Sequence, residues 1–349
     1  MENLEEIEMK EVIVTAPHAY EIREVPIPVL TSEYEVLVKM KAAGVCGSDH
    51  HIYHGKNPNT IYPRIPGHEN AGIVEKVGSR VSKVKVGDHV VADLLITCGI
   101  CYQCRIGRKN VCETVKVRGS SADGGFREYL SVPEDDLYIV PNHIPFKDAA
   151  LVEPYAIGAH CTGRGKVVKD DIVFILGTGT IGSIILQTCK NIGCTVICCD
   201  RVEETLERAK KYGADFIINN AKENVIERVR EITAGKGATV AFDSACFPGS
   251  LTSLFEKGLI RNAGRIVSLG FSTENESISQ AMLDIRELDL IGSRMSCYQF
   301  QPVIDKMANN GFNLDGIATT FINFNEIDRM FDYMDHPDPK VKKMVLLFD

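Results

Sequence analysis

The sequence has no excess of basic residues, no long apolar run, no internal repeat and no low-complexity segment. Each absence excludes a class. Lys and Arg number 39 against 47 Asp and Glu, a formal net charge of -8. A general nucleic-acid or anionic-membrane binder needs a basic surface, so neither partner is expected. The most apolar stretch, residues 171–199, is broken by Gly, Thr, Gln, Lys and Asn well before membrane-spanning length. The first ten residues, MENLEEIEMK, are acidic and carry no apolar segment, so no secretory signal or transit peptide is expected. The protein therefore reads as soluble and cytoplasmic. What is present is ordinary globular composition, 44% hydrophobic and 25% charged. At roughly 150 residues per domain, 349 residues suggest two domains, each with its own core.

Cysteine is plentiful, with 12 residues. In a large chain with no export signal that number points to metal or catalysis before disulfides. Four fall within residues 98–112, one stands alone at 46, and seven are scattered from 161 onward.

Up to about residue 155 the chain reads as short strands. Residues 35–41 (EVLVKMK) put Val36, Val38 and Met40 on one face and Leu37, Lys39 and Lys41 on the other. Residues 70–76 and 89–93 are further β-branched runs, and prolines at 58, 63, 66, 133, 141 and 145 argue against long helices. After Glu153-Pro154 the pattern becomes α/β. Strands are expected at 172–176, 195–199, 216–218, 239–242, 265–269 and 288–291, separated by helices such as the charged amphipathic 203–211. Six strands with intervening helices predict a doubly wound parallel sheet. The tail from 296 has helical character at 301–309 and 325–335 and a strand-like 343–348, and is too small to fold alone. The expected division is a β-rich domain over 1–155 completed by 296–349, and a parallel-sheet domain over 156–295.

Three motifs carry chemistry. Cys98-x2-Cys101-x2-Cys104-x7-Cys112 supplies four thiolates in one short loop, enough to close a tetrahedral shell around a structural Zn²⁺. Arg105, Arg108 and Lys109 in that loop would partly offset its charge. Cys46-Gly-Ser48-Asp49-His50-His51, followed by Gly67-His68-Glu69, can supply two ligands of a second, catalytic zinc. Such a site needs a third protein ligand and an exchangeable position. Glu153 at the domain boundary is well placed, with Glu69 a neighbour that can alternate with it. The third motif is Gly177-x-Gly179-x-x-Gly182, directly after the first strand of the α/β region, with Thr180 and Ile181 opening the next helix. The glycines permit a tight turn and close backbone approach, and the helix N-terminus meets a pyrophosphate. Asp200 ends the next strand, 18 residues beyond Gly182. It would bond the adenine ribose and repel a 2′-phosphate, favouring NAD over NADP. Arg201 beside it reads either as a phosphate partner or as a solvated residue at a helix start. Cys189, Cys194 and Cys246 read as small core hydrophobes, Cys161 and His160 as core, and His50 and His54 as loop residues.

In this order and spacing the motifs resemble the zinc-dependent medium-chain dehydrogenase/reductase family, the alcohol and polyol dehydrogenases, over essentially the whole chain. The resemblance implies a GroES-like catalytic domain, a Rossmann-type coenzyme domain and an active-site cleft between them. It matches Cys46, His68 and Glu153 to the catalytic zinc ligands and Glu69 to the exchanging position. It matches Asp49 to the carboxylate that orients the ligand His, and Ser48 and His51 to the proton relay. Two zinc ions per chain, NAD, a small-molecule substrate and a homo-oligomer, dimer or tetramer, follow from it.

Glu153-Pro154 in place of a cysteine ligand points to the polyol, threonine and sugar-acid branches. Residues 123–133 (DGGFREYLSVP) and 152–160 (VEPYAIGAH) are similar to L-galactonate and L-gulonate 5-dehydrogenases. Threonine dehydrogenases carry a substrate-site His where this chain has Leu95, and sorbitol dehydrogenases usually a Tyr where it has Ile52. The expected reaction is oxidation of a secondary hydroxyl, at C5 of a hexonate, with a polyol or L-threonine as the alternative substrates. Arg294, just past the sixth strand, lies where polyol dehydrogenases place an Arg at the substrate. It reads either as a clamp for the hexonate carboxylate or as a partner of an acidic residue across the domain interface. A non-catalytic regulatory module that binds NAD or zinc is the alternative from another class. A full proton relay argues against it, since a binding module needs none.

Overall fold

Short strands fill the first half of the chain, as its prolines and two-residue periodicity require. The computed structural model describes residues 8–270, 274–338 and 341–349, so the acidic stretch 1–7 lies outside it. The strands are β1 (Glu8–Ala16), β2 (Ala19–Pro26), β3 (Glu35–Val45), β4 (Glu69–Val77), β5 (His89–Ala92), β6 (Leu95–Ile96), β7 (Lys116–Val117), β8 (Tyr129–Pro133) and β9 (Leu137–Ile139). They continue as β10 (Ile172–Leu176), β11 (Thr195–Asp200), β12 (Phe216–Asn219), β13 (Ala238–Asp243), β14 (Ile260–Ser268) and β15 (Asp289–Gly292). The last two are β16 (Thr320–Asn323) and β17 (Met344–Leu347).

The chain divides into two compact units. The first contains Met1–Glu153, Phe300–Asn309 and Ala318–Asp349, and the second Pro154–Gln299 and Asn310–Ile317.

In the first unit, β1 and β2 form a hairpin and a larger sheet runs β16-β17-β3-β4-β5-β9. β3 is its axis. The first half of β3 pairs with β8 and its second half with β17, both antiparallel, while β4 lines its other edge. Val36, Val38 and Met40 face the core as their alternation predicts. Leu37 is buried too, because this central strand is covered on both faces. Ile322, Phe324, Phe331 and Leu346 from the C-terminal segment join the same core, which explains why that tail needs no core of its own. Each such side chain taken fully out of water contributes roughly 1.5–3 kcal/mol.

The second unit is a six-stranded parallel sheet in the order β12-β11-β10-β13-β14-β15. All six strands fall where the sequence places them. β10 and β11 read as near-continuous apolar runs because helices cover both faces of such a sheet, and Val173, Phe174, Ile175, Val196, Ile197, Cys198 and Cys199 are all buried. The order of connection reverses at β10, between β11 and β13, which is where a ligand crevice forms in this architecture. The helix Thr180–Ile192 that follows β10 is closed by Gly193 in the left-handed conformation. Cys161 and Cys189 are core residues as expected, and Cys194 is buried. Cys246 is exposed, a correction: it sits in the loop after β13 with positive φ, outside any apolar face. No helix among the described residues is long and apolar enough to cross a membrane.

Candidate active site

β3 ends at Val45, and Cys46 caps the helix Gly47–Tyr53 that begins there. The Cys46 backbone N–H donates to Asp49 Oδ2 at 2.8 Å, and the Gly67 N–H donates to Asp49 Oδ1 at 3.1 Å. Asp49 thereby ties the Cys46 turn to the loop that carries His68. The same Oδ1 lies 3.7 Å from His68 Nδ1. Asp49, His68, Glu69 and Glu153 are all buried. Donor atoms of Cys46, His68 and Glu69 lie within 4.8 Å of one another. Glu153, first turn of the helix Val152–Arg164, is buried beside them.

The electrostatics are those of a buried anionic pocket. Burial pushes the Glu153 carboxyl up to about 7, with His68 working against the rise and Glu69 adding to it. Burial also raises Asp49 against the pull of His68. Burial works against a charged His68, but Asp49, Cys46 and Glu153 outweigh it and lift its pKa well above the ordinary value. Glu69 Oε2 is buried with no hydrogen-bond partner. A thiol, an imidazole and two carboxylates converging with an orphaned oxygen fit Zn²⁺, which takes S, N and O donors.

Lys343 belongs to this site and was not singled out from the sequence. Its Nζ bonds Glu69 Oε1 in a fully buried ion pair. Burial opposes its charge, and Glu69 and Cys46 more than restore it. The antiparallel register of β17 on β3 sets Met344 opposite Val45, which brings Lys343 level with Cys46. Only that pairing, some 300 residues apart in sequence, reveals it.

Ser48 and His51 share the helix Gly47–Tyr53 three positions apart, on one face, while Asp49, Ile52 and Tyr53 are buried. His51 is exposed, and its pKa lies below the ordinary value, through partial burial first and then Lys56 and His54. His50 lies within that helix and His54 caps it, where the sequence suggests a loop. Ile52 and Leu95 are both buried in the first unit.

The four loop cysteines converge, with sulfurs within 4.8 Å of one another. Cys98 and Cys112 Sγ are 3.5 Å apart, and Cys101 and Cys112 Sγ 3.8 Å. These are far longer than a disulfide and close to the roughly 3.8 Å edge of a tetrahedron with 2.3 Å Zn–S bonds. Backbone N–H donation from Cys98 lowers the Cys112 thiol to about 6. Burial lifts Cys104 to about 12. Lys109 Nζ bonds Asp93 at 2.7 Å. Arg105 bonds the Ile100 carbonyl.

In the second unit the glycine turn follows β10 directly. Gly177 has a φ of 85°, and a Cβ there would stand 2.8 Å from Ala245 backbone; a Cβ on Gly182 would stand 2.0 Å from the Gly177 carbonyl. Gly179 is the N-cap of the helix Thr180–Ile192, with open space beside it and no capping side chain. A helix start of this kind presents its first-turn N–H groups to an anion. Asp200 ends β11. Its Oδ2 accepts from Thr178 N–H at 2.7 Å and its Oδ1 from Val202 N–H at 3.0 Å, so it holds the loop. Arg201 is exposed. This fits a dinucleotide.

The sequence matches two family models: an alcohol dehydrogenase GroES-like domain over residues 32–142 and a zinc-binding dehydrogenase over residues 180–309. It is 37% identical to the starvation-sensing protein RspB of Escherichia coli K12, over 97% of this chain and 99% of that one. The chain belongs to the zinc-binding alcohol and polyol dehydrogenases. It is also 33% identical to the sorbitol dehydrogenase of Bacillus subtilis, over 81% of each chain. The solved structure of the alcohol dehydrogenase RspB from E. coli CFT073, complexed with NADH, superposes with a TM-score of 0.91 at 37% identity. That match covers 98% of this chain and 99% of the other. For a dehydrogenase of this family, zinc and a nicotinamide dinucleotide are the cofactors.

Proposed function

We propose that this dehydrogenase oxidises a secondary hydroxyl of a sugar acid, C5 of an L-galactonate- or L-gulonate-type hexonate, with NAD⁺ as acceptor. The observation that carries the alcohol chemistry is half-buried Cys46 with the buried His68, Glu69 and Glu153, and Ser48 and His51 on the adjoining helix. Zinc held there supplies a Lewis acid that lowers the pKa of a substrate hydroxyl. Ser48, two residues from Cys46, accepts the hydroxyl proton. His51, one turn further on, passes it to solvent; a pKa held below the ordinary value keeps the ring a proton acceptor at neutral pH. Asp49 orients His68 and holds the Cys46 turn. Lys343 offsets the charge of Glu69. A dinucleotide held at the Gly177–Gly182 turn would supply the hydride acceptor, so the balanced products would be a ketone, NADH and one proton.

The sugar-acid reading rests on the Glu153-Pro154 pair, on the resemblance of residues 123–133 and 152–160, and on Arg294. This residue lies in the second unit, two positions past β15. Its guanidinium is a planar fork suited to a carboxylate, the group a hexonate has and sorbitol lacks. A charged hydrogen-bonded pair is worth on the order of 1.5–3 kcal/mol, so Arg294→Ala costs roughly ten- to a hundredfold in kcat/KM for the acid. The loss on a neutral polyol of equal length is much smaller. Equal losses on both would contradict the clamp. A plain polyol is the second reading, favoured by the sorbitol dehydrogenase among the relatives.

A further inference from the structure

The β1–β2 turn, the end of the helix Gly47–Tyr53 and the end of the helix Asp328–Asp335 meet in the first unit at a cluster the reaction above does not use. His18 comes from the turn, His54 from the cap of the first helix and Asp335 from the last residue of the second. One donor atom of each lies within 4.8 Å of the others. Asp335 Oδ1 stands 3.3 Å from His18 Nδ1 and 3.6 Å from His54 Nε2. Ligands bonded at 2.0–2.1 Å around a tetrahedral Zn²⁺ lie roughly 3.3–3.4 Å apart, so both separations are close to tetrahedral edges.

The neighbouring hydrogen bonds decide what faces what. His54 Nδ1 is 2.9 Å from the His50 carbonyl oxygen. A carbonyl only accepts, so Nδ1 carries a proton there, and Nε2 is the ring nitrogen turned toward Asp335 Oδ1. The other Asp335 oxygen, Oδ2, is held by the Tyr53 hydroxyl at 2.8 Å. The His18 N–H donates to the Tyr53 carbonyl at 2.7 Å, which fixes the turn in its positive-φ conformation. The His54 ring and the Asp335 carboxylate are thus each held by a partner behind them, as in protein metal sites. The carboxyl of Asp335 is held below its usual range by the Tyr53 hydroxyl first and by His18 after it.

We propose that His18, His54 and Asp335 form a zinc site of their own, separate from the catalytic and four-cysteine sites, with a fourth position open to solvent. Two imidazoles and one carboxylate are a donor set suited to zinc. The ion would fasten the β1–β2 turn and the C-terminal helix to the helix that carries Ser48 and His51.

The test uses the full-length protein and Zn²⁺ itself, and does not depend on which substrate is oxidised. Zinc bound per chain is measured by equilibrium dialysis at low-micromolar free Zn²⁺ for wild type, His18→Asn and Asp335→Asn. Asn tolerates positive φ at position 18 and keeps an acceptor for Tyr53 at position 335. Wild type is expected to hold one equivalent more than either variant, and added Zn²⁺ to raise the Tm of wild type alone. Equal stoichiometry in all three, or an equal zinc-dependent rise in Tm, would overturn the site.

Discussion

Position 44 on β3 has no room for a side chain. A Cβ there would stand 1.9 Å from Glu69 Oε2, because the β3–β4 register sets Gly44 directly across from Glu69. The glycine is therefore required by the carboxylate and not by its own backbone angles. Gly44→Ala pushes Glu69 out of the donor set while leaving every zinc ligand in the sequence. Displacing a group that positions a metal ligand costs about 10–100-fold in metal affinity or activity. We expect kcat to fall by that order with far-ultraviolet circular dichroism unchanged, and zinc at the catalytic site to be lost more readily to a chelator. Unchanged turnover in a folded Gly44→Ala protein would show that Glu69 is free to stand elsewhere. Lys343 acts on the same carboxylate from the other side, and its burial sets the limit on what the sequence reveals. Nothing local marks Lys343, the first residue of the strand-like 343–348, as part of a site; only the long-range pairing of β17 with β3 does so.

At the scale of elements, the cysteine loop and the glycine turn separate stability from chemistry. Of the four loop cysteines only Cys112 is buried, and Cys98 and the nearby Ile100 are exposed. A metal closing the loop contributes to folding outright. Cys112→Ser is expected to lower Tm by several degrees, at about 2–4 °C per kcal/mol for a unit of this size. Cys46→Ser is expected to abolish turnover with little change in Tm. Loss of activity in Cys112→Ser without loss of stability would reverse the assignment. The glycine turn is held from behind by Asp200, whose two oxygens accept the Thr178 and Val202 N–H groups. We infer that the same carboxylate discriminates against a 2′-phosphate. Asp200→Gly is expected to weaken NAD⁺ roughly ten- to a hundredfold, the value of a charged hydrogen bond, while relieving the repulsion against NADP⁺. Steady-state kcat/KM with each coenzyme checks this. A wild-type preference for NADP⁺ would refute it and promote Arg201 to a phosphate partner.

At the scale of the molecule, the two units differ in how much the sequence discloses. Strands β10, β11 and β13 of the parallel sheet are legible because each is a short apolar run bounded by turn residues and buried on both faces. The four-cysteine loop and the Gly177–Gly182 turn were legible because their geometry is local to a few residues. Cys46, His68, Glu69 and Glu153 were legible as residue types, and their convergence only through the resemblance. What escaped was whatever depends on distant pairing. Asn310–Ile317 belongs to the second unit although the segments on either side belong to the first. His18, His54 and Asp335 meet across 317 residues of sequence. Cys246 was misread as core since a cysteine near an apolar strand gives no local sign that the chain has already turned outward.

The central claim, that the enzyme removes hydride from a secondary carbinol of a sugar acid, is tested most directly by one measurement. NADH formation by the wild-type zinc-loaded enzyme is followed over a panel of hexonates, neutral polyols and L-threonine, and the product of the best substrate is located by NMR. The account predicts the highest kcat/KM on L-galactonate or L-gulonate, with the new carbonyl at C5. Turnover of sorbitol or L-threonine with none on any hexonate would contradict it.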